Sequence, residues 1–188
     1  MKGRAFSRFH YDWPLYVAVA VVGVFLWYFA FTLFNAPAPT ETINCFVGAT
    51  VKNYDFKKEA LDSAKPYGVK AVELVSCDPP DSGFPTKYQT VAVNGCDVVV
   101  VPESVAKVTD CANTFIELSG HDNVFLQEGI AYGVYLDEEA KTALSVWFAF
   151  SSEDYVAFVV ASSPNSGGEA LTDNALKFLD WLVHYGKG

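Results

Sequence analysis

The feature that most constrains this chain is an uncharged apolar run, PLYVAVAVVGVFLWYFAFTLF, from Pro14 to Phe34. As an α-helix its 21 residues reach about 32 Å, close to the ~30 Å hydrocarbon core of a bilayer. Pro14 suits a helix start, where its missing N–H has no intrahelical role. Tyr11, Trp13 and Tyr16 fit one membrane–water interface, and Trp27 and Tyr28 approach the other. Lys2, Arg4 and Arg8 precede the run with only Asp12 against them. That basic flank places residues 1–13 in the cytoplasm and everything after Phe34 outside. A cleaved signal peptide has a shorter apolar region, about 7–15 residues. The nearby small-x-small site, Ala36-Pro37-Ala38, would also leave Pro39 directly after the cut. Cys45 is too far downstream to be a lipidation site, and Gly23 is a lone glycine with no GxxxG partner. The expectation is an uncleaved, single-pass anchor at 14–34 in the cell membrane.

Beyond a short Pro/Ala linker at 35–42, residues 43–188 suit one domain. Beyond Phe34 the chain carries ten lysines, no arginine and twenty-one Asp/Glu, a net of −11. Such a surface argues against nucleic acid as partner and favours solubility. All four cysteines, Cys45, Cys77, Cys96 and Cys111, lie in it. An even number outside the cytoplasm implies two disulfides. The gaps between them are 32, 19 and 15 residues, unlike the close Cys pairs of zinc sites.

The pattern of elements predicts an α/β fold. INCFVGA at 43–49 reads as a strand, 56–65 as a helix with Asp55 as N-cap, and 69–76 as a second strand. Asp78-Pro79-Pro80-Asp81-Ser82-Gly83 is a breaker loop. DVVVV at 97–101 is the continuous apolar strand of a sheet buried on both faces. Residues 103–109 suit a helix, 129–136 and 155–161 suit strands, and 143–150 suits a strand or packed irregular chain. A Ser/Gly loop at 162–168 leads to an amphipathic helix at 171–185, with Thr172 as its N-cap. The stretch 87–93 before Asn94-Gly95 fits a hairpin locally but also a helix feeding the 97–101 strand. Strand–helix–strand order implies parallel crossovers, so the expected architecture is three-layer α/β with a mostly parallel sheet and an antiparallel addition.

INCFVGA at 43–49, VKAVELVS at 69–76 and NGCDVVVVPES at 94–104 together resemble the first lobe of extracellular solute-binding proteins, the periplasmic-binding-protein-like class. GIAYGVYL at 129–136 and the segment 153–182 resemble its returning strands and closing helix. The resemblance implies that 87–93 is a helix, against the local hairpin signal, and the helix is the expectation. The resemblance implies a hinged two-lobe clamshell, yet about 25 residues separate DVVVV from GIAYGVYL, too few for a second lobe. It therefore implies ancestry and fold more than solute capture.

No stretch carries a specific catalytic signature. Ser104-Val-Ala-Lys107 matches the S-x-x-K of penicillin-recognising acyl enzymes, but S-D-N and K-T-G elements are missing. Asp137-Glu138-Glu139 lacks the loop pattern of a calcium site. His121 and His184 have no second histidine at ligand spacing, and Ser162–Gly168 lacks the lysine of a phosphate loop. The expected protein has no metal and no cofactor. It acts as a non-enzymatic module through an envelope or transporter protein partner. The alternative is a small-solute binder that completes its cleft by homodimerisation; a hydrolase ranks last. A ligand site, if present, belongs at the carboxyl ends of the parallel strands, on Thr50, Lys52, Asn53, Tyr54, Ser76, Glu103 and Ser104. On the same topological argument, Cys45 pairs with Cys96 at the amino ends of their strands, and Cys77 with Cys111 beyond the carboxyl ends.

Overall fold

The computed structural model describes residues 4–168 and 171–187, with backbone alone for residues 4–12 and 35. The chain divides into two units at Ala36/Pro37. The first is one helix, α1 (Arg4–Asn35). Its segment Trp13–Phe34 is long and apolar enough to cross a membrane. Pro14 lies inside α1 rather than at its start, so one intrahelical hydrogen bond is missing there. The Thr32 hydroxyl donates to the Tyr28 carbonyl at 2.8 Å, which satisfies a polar group within an apolar stretch.

The second unit is α/β. In chain order its elements are β1 (Thr42–Val47), β2 (Thr50–Val51), α2 (Phe56–Ala64), β3 (Ala71–Ser76), α3 (Phe84–Lys87), a π turn at Tyr88–Ala92, α4 (Val93–Gly95) and β4 (Val98–Pro102). They continue with α5 (Glu103–Ala106), α6 (Cys111–Thr114), β5 (Val124–Gln127), β6 (Ile130–Tyr135), α7 (Glu138–Leu144), β7 (Phe148–Ala149), β8 (Tyr155–Val159) and α8 (Asn174–Val183). The described residues form a six-stranded sheet in the order β3-β1-β4-β8-β6-β5. β3, β1 and β4 are parallel neighbours, and β8, β6 and β5 add antiparallel. Four of the six strands thus run in one direction. β2 and β7 make a small separate antiparallel pair.

The central strands are apolar throughout because both faces of the sheet are covered. Side chains alternate with period two. Ile43, Cys45, Val47, Val98, Val100, Ala157 and Val159 face a layer built from α2 and α8. Phe46, Val99, Val101, Val156, Phe158 and Val160 face the opposite layer, built from the 84–95 helical stretch, α5 and α6. In α8, Phe178, Leu179 and Leu182 are fully buried, each stabilising by about 1.5–3 kcal/mol. The 87–93 stretch is helical, as expected, and its helix runs through the π turn. Asn-Gly there ends a helix because Phe84, Tyr88 and Ala92, one turn apart, are needed under the sheet.

Several local expectations are corrected. Asp55 precedes α2 but its side chain accepts no capping bond; Asn53 Oδ1 accepts from the Asp55 N–H instead, at 2.9 Å. α8 begins at Asn174, after Asp173, because the Thr172 hydroxyl is spent on Asn165 Oδ1 at 2.6 Å. The 143–150 stretch holds the last turn of α7 and the short β7. α7 itself is capped by Asp137, whose Oδ1 accepts from the Ala140 N–H at 2.8 Å. β5 went unseen because its four residues are an edge strand with little alternation. A bulge between Phe125 and Leu126 breaks its pairing, a usual way to blunt an exposed edge. Its turn to β6 places Glu128 at φ 55 and Gly129 at φ 84. This left-handed pair matches the twist of a hairpin and strains the glutamate.

The four cysteines are unpaired and buried, which corrects both expected disulfides. Cys45 faces the α2/α8 layer, whereas Cys96 belongs to the opposite one; sharing an edge does not bring their sulfurs to one side. Cys77 follows the carboxyl end of β3. α5 and the turn after it carry the chain back, so Cys111 arrives beside Gln127, whose Oε1 accepts the Cys111 N–H at 2.9 Å. Gln127 ends β5, five strand steps from β3, roughly 24 Å at the usual strand spacing and far beyond disulfide reach.

At the amino ends of the parallel strands a buried polar knot closes the domain. Asp97, 2% exposed, accepts the Asn44 N–H at 2.6 Å, the Ser163 hydroxyl, and Asn165 Nδ2 at 3.0 Å. Asn165 Nδ2 also reaches the carbonyls of Pro39 (3.1 Å) and Thr42 (3.0 Å), and Asn174 Nδ2 reaches that of Thr40 (3.1 Å). The segment before β1 is therefore extended at Ala38 but docked from Pro39, where Pro39–Glu41 form a 3-10 turn. Asp97→Ala would leave several buried donors without an acceptor, at about 1–3 kcal/mol each. The expected loss is roughly 3 kcal/mol or more in urea unfolding of the detergent-solubilised chain, with Asp97→Asn losing less. A loss under about 1 kcal/mol would show that the carboxylate does not hold the knot.

Candidate functional site

The carboxyl ends of the parallel strands are built over by the chain's own return. Val51 and Thr50 pair with Phe148 and Ala149, and the N–H groups of Lys52 and Asn53 donate to the Trp147 carbonyl at 2.7 and 3.3 Å. The Gly48 N–H donates to Val100 O, and the buried Tyr155 hydroxyl donates to Gly48 O. Of the seven expected residues, most are engaged locally. The Thr50 hydroxyl donates to Asp78 Oδ2 at 3.1 Å, and Lys52 Nζ donates to the Ser145 carbonyl at 2.8 Å. Asn53 holds the Asp55 N–H, Ser76 is half-buried at the end of β3, and Tyr54 is exposed.

Glu103 and Ser104 belong to a second group, at the end of β4. Glu103 accepts from the Tyr135 hydroxyl at 2.7 Å and pairs with Lys107 at 2.9 Å. Lys107 first, and then the Tyr135 hydroxyl, hold its carboxyl below the usual carboxylate range. Tyr135 is pushed up to about 12, by burial and then by its bond to Glu103. The Ser104 N–H donates to Glu153 Oε2 at 3.3 Å. With Lys107 bound to Glu103, the S-x-x-K pair is a helix start with an ion pair across its turn.

Another groove lies on a different face. It encloses about 500 Å3 between the 84–95 stretch and residues 105–114. Phe84, Tyr88, Val93, Val105 and Val108 line it, with Thr109 among its polar residues. Phe84 and Tyr88 stack at 5.7 Å, and the Tyr88 hydroxyl bonds Thr109 Oγ1 at 2.9 Å. Both rings are thereby fixed as one wall. Part of that wall is the π turn, a distortion that recurs at functional sites. Val108, 84% exposed, stands at its margin. Sequence reading missed this groove: Phe84 and Tyr88 look like core residues at helical spacing, and Val108 is one valine in a turn.

A smaller, polar groove of about 290 Å3 contains His121, Asp122, Asn123, Tyr135, Asp137 and His184. His121 Nε2 lies 3.6 Å from Asp180 Oδ1, and His184 Nδ1 lies 2.8 Å from the Asp180 carbonyl. Asp137 is spent on capping α7 and on Lys187. No group of three or more His, Cys, Asp or Glu able to hold a metal ion occurs among the described residues. The Ser162–Gly168 loop gives its Ser163 and Asn165 side chains to the Asp97 knot.

Compared with protein-family models, curated protein sequences and solved structures, the chain matches none.

The thiols are held protonated. Burial first, then Asp97, pushes Cys96 up to about 12; burial first, then Asp110, pushes Cys111 up to about 11. Burial also raises Cys45 and Cys77. Since the thiolate is the reactive form, all four are expected to resist an aromatic disulfide reagent at pH 8 in the native protein and to react fully in denaturant. Rapid native reaction of even one, or fewer than four thiols after unfolding without reductant, would contradict this placement.

Proposed function

We propose that the protein is a single-pass, membrane-anchored interaction module with a cytoplasmic N-terminus, and that its outer α/β domain works by binding a protein partner of the envelope. The anchoring half is supported by the apolar Trp13–Phe34 helix and the basic residues before it. The resemblance of 43–49, 69–76 and 94–104 to one lobe of a solute-binding protein is part of this reading, and the order β1-α2-β3-helix-β4 is that of α/β domains in general.

The observation that carries the partner reading is the groove beside Val108. Both faces of the sheet are already covered by the domain's own helices, yet this apolar groove stays open at the surface, walled by two fixed aromatic rings. Rigid aromatic walls next to an exposed aliphatic residue are the composition of protein-binding hot spots. The test places a photo-crosslinking residue at position 108 of the full chain in intact cells, with position 146 as control. A discrete protein adduct from 108, absent from 146 and lost with Tyr88→Ala, is expected. An impermeant thiol reagent should label Val108→Cys without permeabilisation. No adduct from 108, or labelling only after permeabilisation, removes the partner or the topology half respectively.

A further inference from the structure

On the side of the sheet opposite the 84–95 stretch, the layer of α2 and α8 carries an open groove of about 450 Å3. Its walls are aromatic and fixed. Trp181, in the last turn of α8, lines it, with Phe178 and Phe56 at 5.2 and 5.9 Å from its ring centre. Tyr185, just past the end of α8, also lines it and meets the Trp181 ring at 5.2 Å and 81°. The two rings therefore form a corner rather than a stack. Both residues are half-buried, so each keeps part of its surface open to water. Trp147 Nε1 donates to the Tyr185 hydroxyl at 2.9 Å, and that hydroxyl donates to Glu59 Oε1. One run of hydrogen bonds thus sets both the tyrosine ring and the carboxylate beside it. The turn that follows packs so closely on α7 that a Cβ on Gly186, at φ 84, would lie 2.5 Å from that of Ala143.

The polar groups beside these rings are mostly acceptors. Glu59 is exposed and pairs with no lysine among the described residues; the Tyr185 hydroxyl is what meets it. His184 Nδ1 lies 2.8 Å from the Asp180 carbonyl, which can only accept, so Nδ1 carries the proton. The neutral ring then leaves Nε2 as an acceptor. α8 ends here, and the C-terminal end of a helix carries partial negative charge. Lys187 also lines the groove, but its ammonium is paired with Asp137. Aromatic faces attract cations, tryptophan most strongly, and the carboxylate and the helix end act with the same sign. A neutral sugar would use the rings without the charge, and an anion would be repelled.

We infer that this corner is a binding site for a small organic cation, a quaternary ammonium group seated against Trp181 and Tyr185 with Glu59 as its counter-ion. Such a group presents methyl groups to the ring faces while its charge stays within reach of the carboxylate. A bare metal ion would need several oxygen ligands, and the groove offers one carboxylate. The net −11 beyond Phe34 raises the concentration of any cation near the surface.

The experiment titrates the full chain, in a non-ionic detergent, with choline and with its uncharged isostere, in which carbon replaces the quaternary nitrogen. Isothermal calorimetry reads the affinity of the native chain, Glu59→Gln and Trp181→Leu. Choline should bind at least about tenfold more tightly than the isostere, since only choline uses the charge. Glu59→Gln, at an exposed position, and Trp181→Leu should each weaken choline at least about threefold. Equal binding of choline and the isostere overturns the inference. So does unchanged choline affinity in Glu59→Gln, or no binding to the native chain at tens of millimolar choline. Should Trp181→Leu fail to fold, the isostere and Glu59→Gln still decide.

Discussion

The Asp97 carboxylate is the interaction on which the rest of the domain depends. It sits where three separate parts of the chain meet: the start of β1 through Asn44, the start of β4, and the loop before α8 through Ser163 and Asn165. A buried carboxylate is costly unless its lone pairs are met, and here charge-assisted bonds meet them. Asn165 passes the constraint on to Pro39 and Thr42. One side chain thus fixes the sheet register, the entry of the chain and the approach of the closing helix.

The second constraint is coverage. Because β1, β4 and β8 are apolar on both faces, each needs a helical layer above and below. The layer of α2 and α8 is closed by aromatic contacts such as Phe56 with Phe148 at 4.9 Å and Phe178 with Trp181 at 5.2 Å. The other layer is assembled from short pieces, with a π turn in one and only four residues in each of α5 and α6. Short helices leave gaps between their axes, and the apolar groove is such a gap. Its position therefore follows from how the sheet is covered rather than from where the strands end.

Much of the fold was legible because its signals are local or periodic. The apolar helix, the 43–49, 69–76 and 97–101 strands and the amphipathic α8 all declare themselves by run length or spacing. The helix at 87–93, expected from the resemblance against an Asn-Gly hairpin signal, is present, with Phe84, Tyr88 and Ala92 packed under the sheet. What could not be read depends on long-range placement. β5 is too short to alternate visibly, and β2 and β7 exist only as each other's partners. The disulfide expectation failed for a related reason: strand order and edge do not reveal which face a cysteine occupies, nor that the chain after α5 doubles back. The seven residues expected at the strand ends do gather near that edge. Their side chains, however, mostly serve the chain's own turns, while the groove residues looked like core.

The unpaired cysteines also bear on the location. Two disulfides were expected because the domain was placed outside the cytoplasm, and the buried thiols are unpaired. Free thiols do not by themselves point to the cytoplasm. With Cys111 pushed up to about 11, on the order of one molecule in three thousand carries its thiolate at pH 7.5. Cys45 lies across the sheet from the other three. Exchange needs a thiolate, which burial disfavours at Cys96 and Cys111. The proposed topology accordingly rests on the Trp13–Phe34 helix and its basic flank alone, and a cysteine count carries no weight in it.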